Sequence, residues 1–102
     1  MKKVKITAIR KVHYADLSEL YEAPAGETDC DIAEGQIFYS IGNEKPDGMC
    51  EGAWMAIEPF AATLANGGGN FYNGWMKNPY SAMISCTDGF RPVTFLIEAI
   101  EE

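Results

Sequence analysis

Val4, Ile6, Ala8, Val12 and Tyr14 share one parity while Lys3, Lys5, Thr7 and Lys11 share the other. That is the period-two alternation of a strand with one buried and one exposed face. The pattern predicts a first strand over Lys3 to Tyr14, interrupted at Ile9. A second strand, Gln36 to Ile41, puts Ile37, Tyr39 and Ile41 on one face before Gly42-Asn43 ends it. Ala82 to Cys86 and Val93 to Ile100 read as two more, joined around Asp88-Gly89, a dipeptide that tolerates the positive φ of hairpin turns. The last strand is apolar on both parities, which places it inside the sheet.

Between the second and third strands the period changes. Cys50, Ala53, Trp54, Ile57, Phe60, Ala61 and Leu64 fall in one helical stripe roughly 120° wide. This is the one long helix the pattern supports. Asp47 is placed to cap its first turn, and Asn66-Gly67 suits the left-handed position at its end. Pro59 removes a backbone donor and predicts a kink or break at Glu58-Pro59, opposite the apolar stripe. A shorter helix opens at the capping box Asp16-Leu17-Ser18-Glu19 and stops at Ala23-Pro24, turning Leu17, Leu20 and Tyr21 inward. PAGETDCDIAEG, residues 24–35, is an acidic coil, and GGGNFYNGWMKNPYS, residues 67–81, is a long aperiodic loop with four aromatics.

These elements imply a single α+β domain: a mainly antiparallel sheet of about four or five strands, curled towards a barrel and covered by the central kinked helix. Pairing of the terminal strands would bring the basic face of the first near Glu98, Glu101 and Glu102. The 102 residues make one domain, and a hydrophobic content of 47% is enough for a core.

Charge narrows the partners. The net charge is −7, and Lys2, Lys3, Lys5, Arg10 and Lys11 supply five of the eight cations. Without a concentrated basic surface, nucleic acid is not expected as a partner. No apolar run approaches the roughly 20 residues of a membrane span, and the charged start lacks a signal-peptide core. Three cysteines without close pairs fit a reducing compartment, so a cytoplasmic protein is expected.

CDIAEGQIF, PDGMCEGAWMAIEPF, the glycine triplet and CTDGFRPVTFLIEAI together resemble a family of short, functionally uncharacterised bacterial and archaeal proteins, many from anaerobes. The resemblance spans nearly the whole chain. It implies a free-standing domain and carries no activity to any residue.

Cys30, Cys50 and Cys86 are 20 and 36 positions apart, without the C-x-x-C pairs of a metal or cluster site. The plain reading is three core thiols, with Cys86 buried on its strand and Cys50 partly buried at the helix start. The sharper one is convergence at one edge of the sheet. Cys50, at a helix N-terminus, is then the candidate reactive thiol, and His13, Asp29 or Asp31 would complete a metal set. No metal or cofactor is favoured. His13, the only histidine, reads first as structural. The glycine triplet follows a helix and has no adjacent cation, so it reads as a turn, not a phosphate loop.

A further candidate is aromatic. Phe71, Tyr72, Trp75 and Tyr80, with Asn70 and Asn73, could line a small-molecule pocket with Arg91 adding charge, or instead plug the end of the sheet. No complete catalytic set is visible. Met55, Ala56 and Ala62 leave the outer helix face apolar, so the expected function is a non-catalytic ligand- or partner-binding domain that self-associates. The alternative is a metal- or thiol-dependent enzyme or accessory subunit using the three cysteines.

Overall fold

The computed structural model describes residues 1–24 and 30–100. Its elements run β1 (Lys3–Lys11), α1 (Ala15–Tyr21), β2 (Ile37–Ser40), α2 (Glu51–Ala65), β3 (Ser81–Ser85) and β4 (Val93–Ile100). The strands form one antiparallel sheet in the order β2-β1-β4-β3. It is open, with β2 and β3 as edges, and not curled into a barrel. The α+β class stands, with four strands and two helices among the described residues.

The terminal strands pair at the centre of the sheet, where Lys5 lies opposite Glu98. Glu101 and Glu102 lie outside the described residues. Ile9, which interrupts the alternation, sits at a register shift between Ala8 and Arg10. A bulge gives one strand an extra residue and turns it out of phase, so Ile9 is exposed while Val4, Ile6 and Ala8 are buried. β1 therefore ends at Lys11, short of Tyr14.

α2 lies on the inner face of the sheet. Its Ala53, Ile57, Ala61, Leu64 and Ala65 are buried against Val4, Ile6, Ala8, Phe38, Ala82, Val93, Phe95 and Ile97, with Trp54 and Phe60 half-buried at the margin. Of the kink or break expected at Glu58-Pro59, the break does not occur, and residues 51–65 form one helix. Pro59 is exposed, so the donor it lacks lies on the side of the helix away from the core. The helix starts later than Asp47 would place it. Cys50 is the N-cap residue, without a side-chain capping bond, because a turn closed by Met49 N–H donating to the Pro46 carbonyl (3.3 Å) lies between Asp47 and the helix. At the other end Gly68 N–H donates to Thr63 O (2.9 Å) and Gly67 N–H to Leu64 O (3.1 Å), with Gly67 at φ +88°. This is the Schellman closure that the Asn66-Gly67 pair announces.

α1 departs further from expectation. Leu20 and Tyr21 are 70% and 76% exposed and Leu17 is exposed too, while Ser18 is the residue turned inward. Its N-cap is Tyr14 and no side chain caps it, so the Asp16 capping box does not form. A helix of seven residues is too short to hold an apolar face by itself, and its position follows what its ends are tied to. Tyr14 N–H donates to the Phe90 carbonyl (2.9 Å), and Glu22, just after the helix, holds Arg91.

Candidate functional site

Three segments meet at the N-terminal end of α2. The first is the later part of the acidic coil: Cys30 is half-buried, and its Sγ accepts the Ile32 amide at 3.4 Å while Ile32 is anchored in the core. Lys11 Nζ donates to the Cys30 carbonyl at 3.0 Å, tying this segment to the end of β1. The second is the entry to α2, where Met49 is buried and Cys50 is exposed. The third leaves β3. Cys86 N–H donates to Val93 O (3.0 Å), and Val93 N–H returns a bond to Cys86 Sγ at 3.3 Å, closing the base of the loop with sulfur as an acceptor.

That loop is shaped by Asp88. Its Oδ1 accepts the amides of Phe90 (2.8 Å) and Arg91 (3.1 Å), a side-chain turn in place of the positive-φ hairpin expected at Asp88-Gly89. Gly89 is not among the positive-φ residues. Arg91 Nη1 donates to both Glu22 carboxylate oxygens at 2.7 Å, with side-chain exposures of 13% and 7%. The helix comes close to the loop because residue 52 has no side chain: a Cβ on Gly52 would stand 3.0 Å from Thr87 Oγ1.

Cys30, Cys50 and Cys86 all line one cavity of about 100 Å³, with Gly52, Thr87, Asp88 and Arg91 among its other walls. A wider opening of about 450 Å³ shares Cys30, Cys50 and Asp88 with it and adds Asp31 and Gly48. Cys50 stands exposed, and Cys30 and Cys86 are half-buried with their sulfurs fixed by backbone donors. The plain core reading is met only in part. Cys30 and Cys86 are half-buried and packed against the margin of the core, Cys86 just past the end of β3, while Cys50 is exposed where partial burial was expected. A strand-end residue packed against an open loop has only one side covered.

Among the described residues, no group of three or more His, Cys, Asp or Glu side chains is arranged to hold a metal ion. Asp29 lies outside the described residues. His13 is exposed and its Nε2 is 3.0 Å from Ser18 Oγ, away from the cavity walls.

The aromatic candidates lie at the other end of α2, about 22 Å along a helix of 15 residues. Phe71 packs edge-on against Phe60 (5.0 Å between centroids), and Tyr72 against Trp75 (5.2 Å). Asn70 organises the loop, its Oδ1 accepting Gly74 N–H at 3.0 Å and its backbone N–H donating to Pro79 O at 2.6 Å. Asn70, Tyr72 and Asn73 all take positive φ, near +50°. Tyr72, Trp75 and Tyr80 are exposed. Arg91 is not brought to them. Glu22, Gly52 and Thr87 had no signal in the sequence, and Glu22 is 69 positions from the guanidinium it holds.

No family model matches the chain, and no curated protein or solved structure is significantly similar to it.

Proposed function

We propose that the protein is a small, non-catalytic binding domain whose site is the cavity of Cys30, Cys50 and Cys86, and that its ligand is small and thiophilic. The observation that carries this reading is that Cys30, Cys50 and Cys86, 20 and 36 positions apart in sequence, all line one cavity. Three of the four motifs behind the family resemblance contribute one cysteine each. Scattered core thiols have no reason to share a cleft, and soft sulfur among apolar walls suits a polarisable ligand better than a hard anion. At about 100 Å³ the space is smaller than the roughly 150 Å³ cavity that admits benzene, so the inner part of the ligand has only a few heavy atoms. A binding role fits better than catalysis. The only histidine is bonded elsewhere, and the Asp88 oxygen that holds the loop is occupied by two backbone amides.

Iodoacetamide applied to the reduced, native protein, with the sites followed by mass spectrometry, tests the shared cleft. Cys50 should react first, and its adduct should slow the reaction of Cys30 and Cys86 several-fold, whereas Cys50→Ser should leave their rates as they were. Unchanged rates after the adduct forms would end the reading. Cadmium then addresses the ligand class. A stoichiometric thiolate absorbance lost in Cys86→Ser shows that the sulfurs close on a soft ion, and silence points to an organic ligand.

A further inference from the structure

α2 covers one face of the sheet, and among the described helices it alone packs broadly against the strands. The molecule is a slab measuring 43 × 29 × 20 Å. Its radius of gyration, 14.5 Å, exceeds the roughly 13 Å of a compact chain of this length. The opposite face is made of rows fixed by the pairing register. One runs Ile37, Thr7, Leu96, Met83 and the next Tyr39, Lys5, Glu98, Ser81. Ile37, Tyr39 and Met83 are exposed, as is Ile41 just beyond β2 at 61%. Apolar side chains thus flank the face at both edge strands, and a cation and an anion stand side by side at its centre.

We propose that this face binds a second copy of the chain, sheet against sheet, about a two-fold axis running along the strands between β1 and β4. Such an axis lays β1 of one copy on β4 of the other. Because Lys5 and Glu98 are partners in the same row, the operation sets Lys5 over Glu98 of the second copy and the reverse, giving four charges of alternating sign around the axis. The same operation sets Ile37 over Met83 and Thr7 over Leu96. An isologous interface must be complementary to itself, and this register is. Stacked sheets cross at about 30°, so the axis is inclined to the mean strand direction by about half that angle, and the side chains nearest the centre of that rotation move least. Lys3, with its ammonium 5.6 Å from the Tyr39 ring, flanks the four charges. Sheets about 10 Å apart would turn the exposed face into a second core.

The test is sedimentation equilibrium on Lys5→Glu, Glu98→Lys and their equimolar mixture, with circular dichroism as the check on folding. Wild type should dimerise at micromolar concentration. Each single swap should raise the dissociation constant at least about tenfold, since like charges then face each other. The mixture should dimerise again, because the new carboxylate of one chain meets the new ammonium of the other although each chain still carries its own like-charged pair. Should a swap unfold the chain, Ile37→Asp, at an exposed edge position, takes its place and should leave a folded monomer. A wild type monomeric well above micromolar concentration, a dimer indifferent to these changes, or folded swaps that do not complement each other would overturn the proposal. The last two results would point to edge pairing or to the exposed side of α1.

Discussion

Glu22 and Arg91 form a bidentate pair, both side chains largely withdrawn from water. Such a pair adds little over a matched apolar pair, but removing the guanidinium leaves a withdrawn carboxylate without its cation. Arg91→Met should therefore cost about 3 kcal/mol in urea denaturation, and Arg91→Met with Glu22→Ala should recover most of it. A single-variant loss below about 1 kcal/mol would mean that solvent already serves the Glu22 carboxylate. Cys86→Ala removes the sulfur that accepts Val93 N–H and part of a half-buried side chain. It should cost about 1–2 kcal/mol by the same measurement.

At the scale of the element, the end of α2 separates two roles for glycine. Gly67 is needed for its left-handed angles, and an alanine there should cost about 1 kcal/mol. Gly69 takes no such angle, but a Cβ on it would stand 2.5 Å from the Pro79 carbonyl oxygen, which accepts the Asn70 amide. Backbone cannot swing aside as a side chain can, so Gly69→Ala should be the more damaging of the two, by thermal melting. The order would reverse if only the helix cap mattered. The 67–81 loop is an ordered piece of structure, closed by Asn70 and stapled to α2 through Phe60 and Phe71. α1 is its opposite, a short helix positioned by contacts at its ends.

Among the described residues the molecule has one core, between α2 and the inner sheet face, and a second sheet face that no described helix covers. Phe95 is fully buried at the centre of that core, and Phe95→Ala should cost about 3–5 kcal/mol, enough to leave so small a domain near unfolding. The proposed dimer also makes stability depend on concentration, since association stabilises only the folded chain. The melting temperature of wild type should rise as the protein is concentrated, and that of Ile37→Asp should not. The thiol cleft opens beside the α2 N-terminus, so it should bind its ligand alike in monomer and dimer.

Local periodicity determined what the sequence alone could carry: four strands, the long helix, the closure at Asn66-Gly67 and the antiparallel α+β class. Each is a property of neighbouring residues, visible because side chains repeat at two or at 3.6 positions. Periodicity shows that two faces differ but not which one the helix will cover. In β2 the face with three apolar residues points out, and Phe38 and Ser40 point in, because register with β1 sets Phe38 beside Ile6. Leu17, Leu20 and Tyr21 are exposed for a related reason, as the ties of Tyr14 to Phe90 and of Glu22 to Arg91 orient α1 more strongly than its own apolar stripe does. The same limit held for the site. Cysteines 20 and 36 positions apart carry no spacing signal, and only the folding of three separate segments around the start of α2 could put their side chains on one cavity.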